Sequence, residues 1–234
     1  MDIARDRPWQ PDAIVRIYSM TKPIVSTALM MQIERGLARL DQPVSDILPG
    51  WLDQRVWTGG EGAMFRTEPA ARPVTLRHLL THTAGLTYGT RLAAVGGSAA
   101  EDPVALLYAE AEAATGNGLQ AYAAAIGRQP LRYQPGTRWM YSVATDIVGA
   151  VVETLGAKPL GDFLADEIFA PLDMADTAFH VPPDKARRLA ACYLAAPDQS
   201  MRLADDPPTS AYLAPPAFAS GGGGLVSTLS LIHI

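Results

Sequence analysis

Apolar positions early in the chain recur at helical spacing. Ile24, Val25, Ala28, Leu29, Met30, Ile33 and Leu37 form a broad face that closes at Gly36. Pro23 suits a first turn, so the pattern predicts a helix beginning at residues 19–21. A second stripe, Val143, Ile147, Val148, Val151, Val152 and Leu155, predicts a buried helix ending at Gly156. Ser142 reads as its N-cap, with Asp146 in its first turns. Between them, Thr75 is the predicted N-cap of a helix over Leu76–Leu80, which His82 to Leu86 closes. Asp102-Pro103 opens another helix, running to Gly116, and further helices are predicted over 119–128 and 160–169, before Pro130 and Pro171.

The remaining pattern is extended or irregular. Ala13 to Tyr18 reads as a short strand, and Leu40 to Val44 as a turn with a helical start. Ile47 to Leu52 reads as a short helix that ends at Pro49-Gly50. Residues 58–72 and 87–101 lack periodicity and read as loops. Strands are predicted around 177–180 and 190–195, and a helix near Ser227.

Composition narrows the class. Apolar residues make up 48% of the 234 and charged ones 18%, which points to a well-buried globular protein rather than a disordered chain. The net charge is −5 and the 16 Arg are scattered, so no basic stripe suggests a nucleic-acid partner. Cys192 is the only cysteine, which excludes intrachain disulfides and cysteine metal clusters. No apolar run reaches the length of a membrane span, and Met1 to Gln10 does not read as a signal peptide.

Candidate chemistry lies at the start of the first helix. Ser19 and Lys22 are three residues apart and share a helical face. A serine hydroxyl needs a base to become nucleophilic, and a lysine held neutral can serve. With 10 Ser and 3 Lys, chance gives about 0.1 such Ser-x-x-Lys matches. The plainer alternative makes Ser19 a cap and Lys22 a solvated first-turn residue, although the helix dipole disfavours a cation there. His78 and His82 are also four apart, but no Glu lies between them as in the zinc motif and no third ligand is evident. They read as capping and packing residues. Tyr141 sits on the turn entering the second buried helix, where a side chain can be held still; alone it reads equally as a tyrosine bridging core and water. Ser220 to Gly224 is either a linker or a place of close backbone approach to a pocket. No Gly-x-Ser-x-Gly elbow is present, which argues against an α/β-hydrolase.

Taken together, the ordered blocks Ile17 to Pro23, Leu76 to Leu86, Pro135-Gly136-Thr137 with Tyr141-Ser142, Pro171 to Met174 with Asp176-Thr177, and Ser220 to Leu225 resemble the serine β-lactamase and penicillin-binding-protein-like superfamily. The resemblance is nearest to its class C-like branch, with the family VIII carboxylesterases. It implies an α/β (α+β) fold: an antiparallel sheet flanked by helices, built from 1–58 and 185–234, beside a mostly helical domain over 59–184. It implies Ser19 as nucleophile, with Lys22 and Tyr141 as a proton-sharing base that titrates as a unit. Either Lys22 as ammonium stabilises a tyrosinate or Lys22 is itself neutral. Tyr18, Ser142, Val143, Gly222 and Gly223 would line the substrate pocket, and the Ser19 N–H would supply one oxyanion donor. The implied partner is a small-molecule ester or β-lactam, with no cofactor and no metal. The competing expectations are a β-lactamase or D-amino-acid peptidase on the same fold, or a catalytically inactive binding protein or fragment.

Two departures shape the expectation. Where the family commonly has an Asn two residues after the tyrosine, this chain has Val143, which cannot hydrogen-bond a substrate amide through its side chain and so favours small esters. By the resemblance, the late strand that carries the second oxyanion donor is also expected to be missing, and the chain is expected to be truncated at both ends. Leu231-Ile232-His233-Ile234 does not continue the family pattern and reads as foreign sequence. The isolated chain is therefore expected to be poorly stable and weakly active. A cytoplasmic location is expected, or a periplasmic one if a native signal segment is missing.

Overall fold

A computed structural model describes residues 2–89, 102–196 and 198–232. The architecture is α/β, with helices and short antiparallel sheets. Helix α1 (Thr21–Glu34) follows a 3₁₀ turn at Tyr18–Met20, with Pro23 in its first turn. It closes in a Schellman arrangement: Leu37 N–H donates to Gln32 O at 3.0 Å and Gly36 N–H to Ile33 O at 2.9 Å. Gly36 adopts φ +76°, a conformation that costs glycine little.

Val25, Ala28 and Leu29 of α1 are fully buried against α5 (Ala144–Gly156), whose Ile147, Val148, Val151 and Val152 are buried too. Gln32 Nε2 donates to Val152 O at 3.0 Å and ties the pair together. The helix ends at Gly156 as predicted, and Ala157 just beyond it takes the left-handed position. Gly156 also serves packing, since a Cβ there would lie 2.7 Å from Phe163 Cδ2.

Around this pair, α2 (Leu76–Leu80) begins as predicted at Thr75, in a capping box. Helix α3 (Pro103–Ala111) starts at the Asp102 cap and tightens into a 3₁₀ segment to Asn117. Helices α4 (Leu119–Gly127) and α6 (Leu160–Leu164) follow, α6 continuing as a π turn over Ala165–Phe169. The final helix, α7, spans Leu229–Ile232. Part of the predicted 87–101 loop, residues 90–101, lies outside the described residues.

Three two-stranded sheets form among the described residues, rather than one flanked sheet. β1 (Ile14–Arg16) pairs antiparallel with β6 (Val226–Thr228), joining segments more than 200 residues apart. This pairing makes Ser227 a strand residue, not a helix start. β2 (Arg55–Gly59) and β3 (Arg66–Pro69) form a hairpin where the glycine-rich pattern predicts a loop. Arg66 to Pro69 contributes almost nothing to the core, so it carries no hydrophobic alternation to read. β4 (Cys192–Ala195) pairs with an unforeseen β5 (Met201–Asp205), while the strand expected at 177–180 shrinks to one bridge between Ala178 and Val226. Where a helix is predicted over Ile47–Leu52 the chain forms one 3₁₀ turn, Pro49–Trp51, which Pro49 opens instead of ending a helix.

Candidate active site

The site forms where α1 starts, the turn before α5 passes, and the glycine-rich segment returns ahead of β6. Tyr18 has φ +43°, a strained position for a non-glycine residue, and turns the chain so that Ser19 is exposed at the mouth of α1. Two bonds clamp this corner to the glycine-rich segment: Ile17 N–H to Leu225 O at 3.0 Å and Leu225 N–H to Thr21 Oγ1 at 3.1 Å.

Lys22, one turn along and only 8% exposed, donates from Nζ to Ser19 Oγ at 3.1 Å and to Gly222 O at 2.6 Å. Tyr141 reaches the same oxygen from far downstream, its OH 2.7 Å from Ser19 Oγ. The Lys22 ammonium also lies over the Tyr141 ring, 4.6 Å from its centre. The ring is fixed by neighbours on several sides: Trp139 stacks at 6.3 Å, Tyr88 lies at 5.7 Å and His82 at 4.9 Å between centroids. Burial pushes the Tyr141 phenol up, but its hydrogen bonds with Lys22 and Ser19 and the charge of Lys22 outweigh this. The phenol is held below the ordinary tyrosine range.

His82 is perturbed as well. Burial, and then the charge of Lys22, push its imidazole down to about 4, so it is neutral at pH 7. Unfolding releases it to its ordinary value of 6.5. The unfolded chain therefore binds more protons, and the stability that His82 supports above about pH 6.5 should drain away as pH falls toward 4. His82→Asn should flatten that part of the stability profile, measured by denaturant melts from pH 7 to 4; Asn tolerates the left-handed backbone (φ +54°) at this position. An unchanged slope in the variant would contradict this account. His78 turns elsewhere: its Nδ1 accepts from Thr75 N–H at 3.2 Å in the α2 cap.

Beside Ser19 opens a cavity of about 530 Å³. Tyr88, Tyr141, Phe179, Tyr212 and Phe218 give it an aromatic wall; Gly222, whose carbonyl accepts from Lys22, and Gly223 line it too. The glycines permit close approach, since a Cβ on Gly222 would meet Asp146 Oδ2 at 2.7 Å.

The beta-lactamase family model matches residues 1–231. The chain belongs to the beta-lactamase family. Family members similar to it include an uncharacterized protein of Mycobacterium tuberculosis (strain CDC 1551 / Oshkosh), 34% identical over 97% of this chain and 54% of that protein. Esterase EstB of Burkholderia gladioli is 34% identical over 74% of this chain and 40% of its own length. Among solved structures, unliganded selenomethionyl simvastatin synthase from Aspergillus terreus matches with TM-score 0.73 and 28% identity, over 97% of this chain and 55% of that one. Other curated relatives carry the names esterase and acyltransferase. These similarities are consistent with the family VIII esterase-like branch that the sequence resembles. The chain spans about half the length of the curated relatives it matches.

Against the family expectation, the geometry brings Ser19, Lys22 and Tyr141 together, with Tyr18, Gly222 and Gly223 on the cavity wall. It departs from the expectation at Ser142 and Val143, which do not line the cavity. Val143 is fully buried at the N-cap of α5, its N–H bonded to Thr87 O at 3.3 Å. Ser142, 1% exposed, faces His82 Nδ1 at 3.3 Å and accepts from Ala144 N–H at 3.4 Å. Both point into the protein because the chain is already turning into the α5 stripe. The aromatic wall from Tyr88, Phe179, Tyr212 and Phe218 was not among the expected pocket residues; it comes from loops and turns with no periodicity to mark it.

Proposed function

We propose that this chain carries the centre of a serine esterase that works through an acyl-enzyme on small, uncharged esters. The observation that supports it best is the convergence of Lys22 Nζ and Tyr141 OH on Ser19 Oγ, at 3.1 and 2.7 Å. While the phenol holds its proton, both groups donate to Ser19. Once Lys22 has helped it ionise, the Tyr141 contact reverses, and the Ser19 hydroxyl donates to the tyrosinate. Ser19 Oγ then attacks the ester carbonyl carbon as its proton passes to Tyr141. The Ser19 N–H donates to the developing oxyanion. Collapse expels the alcohol, which takes that proton, and leaves the acyl group on Ser19. Water gives its proton to the same pair and attacks the acyl carbon; collapse breaks the bond to Ser19 Oγ, which takes that proton back as the acid leaves.

The aromatic wall supports an apolar acyl or alcohol group. Val143, buried where the family commonly has an amide-binding Asn, supports esters over β-lactams and peptides. The names of relatives such as EstB point the same way. The expected result is hydrolysis of p-nitrophenyl butyrate with a kcat/KM at least 100-fold above that for nitrocefin, a margin of about two well-placed hydrogen bonds. Equal or reversed preference would move the assignment to a β-lactamase on the same scaffold.

A further inference from the structure

Helix α5 enters the core as a run of buried apolar residues with one charged member. Asp146 is 1% exposed on its first turn, near the positive end of the helix dipole. A carboxylate there is costly unless its oxygens are well supplied with donors. Asp146 Oδ1 receives two from the glycine-rich segment: Ser220 Oγ at 2.6 Å and Gly222 N–H at 2.9 Å. The carbonyl of the same Gly222 accepts from Lys22 Nζ at 2.6 Å, and Lys22 Nζ donates to Ser19 Oγ at 3.1 Å. A continuous series of bonds therefore runs from α5, through one glycine, to the amine beside the serine.

We propose that Asp146 is a positioning residue, which fixes Gly222 so that its carbonyl holds the Lys22 amine between Ser19 and Tyr141. Four consecutive glycines have too much freedom to keep a carbonyl in place unaided. Asp146 supplies the restraint, and the missing Cβ of Gly222 lets the carboxylate approach. The inference rests on the esterase reading for its consequence, because only there does the placement of Lys22 set a rate.

Ionisation of Tyr141 reports the placement of Lys22 without turnover. The groups facing the phenol are Ser19 and Lys22 from the α1 corner and His82 and Tyr88 from the segment after α2; Trp139 stacks on its ring, and Asp146 lies across the cavity on α5. His82 is neutral in the alkaline range and leaves the phenol to Lys22. The titration is followed by tyrosinate absorbance, with each protein subtracted from its Tyr141→Phe counterpart. Labelling of Ser19 by a fluorophosphonate gives the rate.

Asp146→Ala should raise the pH at which Tyr141 ionises and slow labelling about 100-fold, the usual consequence of a catalytic group misplaced by about 1 Å. Asp146→Asn keeps an oxygen for both bonds and should leave both readouts near wild type. Gly222→Ala reaches the same contact from the other side and should also raise the Tyr141 titration, which covers the case of an unstable Asp146→Ala. The proposal is overturned if folded Asp146→Ala or Gly222→Ala titrates like wild type. It is equally overturned if Asp146→Asn shifts as far as Asp146→Ala, which would make the charge, not the position, responsible. If the wild-type chain takes no label at Ser19, the esterase reading fails, while the Tyr141 titration still decides whether Asp146 places Lys22.

Discussion

Ser19→Ala is expected to lower ester hydrolysis by about a millionfold, to the background rate, and to abolish covalent labelling by a fluorophosphonate. The size follows from the arrangement. Lys22 and Tyr141 both address one oxygen, so its removal leaves them nothing to deprotonate. Binding in the aromatic cavity should survive, because Ser19 is only one point on a wall built mainly from Tyr88, Phe179, Tyr212 and Phe218. Stability should barely change, since Ser19 is exposed and packs no core. The check combines mass spectrometry of the labelled peptide, initial rates with p-nitrophenyl butyrate and a thermal melt. A variant that still takes the label, or hydrolyses at more than a small fraction of the wild-type rate, would place the nucleophile elsewhere and undo the mechanism.

The parts of this centre were unequally legible in the sequence. Ser19 and Lys22 announced themselves because three residues separate them where a 3₁₀ turn runs into α1, so spacing alone brings them together. Tyr141 did not, since its meeting with Ser19 spans 122 residues of chain and depends on how α5 packs on α1. Only the resemblance of several ordered blocks joined it to the pair. Asp146 was visible as a first-turn acid but not as the anchor of Gly222, because a dipole-favoured carboxylate and a loop restraint look alike in one dimension. The long helices were readable from their stripes, and the Thr75 and Asp102 caps from their chemistry. The β2–β3 and β4–β5 hairpins were hidden by exposure: strands that bury little leave no period to detect. Ser142 and Val143 show the converse error. Adjacency to Tyr141 suggested the pocket, but successive residues entering a helix point in different directions, and these two turn inward.

Lys22→Met and Tyr141→Phe should each slow Ser19 acylation by roughly 10²–10⁴-fold, and the double variant should be scarcely slower than the worse single. Two independent contributions would multiply instead. The reason for coupling is physical: the hydrogen bond and charge of Lys22 are what hold the Tyr141 phenol below its ordinary range, against the burial that pushes it up. Without Lys22 the phenol remains 2.7 Å from Ser19 but ionises only at higher pH. Lys22→Met should therefore recover part of its rate as pH rises toward the ordinary tyrosine range. Tyr141→Phe has no phenol to ionise and should recover none by this route. A double-mutant cycle on labelling rates, repeated at neutral and alkaline pH, measures both effects. Additive losses, or equal pH responses in the two single variants, would show that the amine and the phenol act on Ser19 separately. In that case Lys22 alone would be the base, and Tyr141 would serve only to orient the hydroxyl.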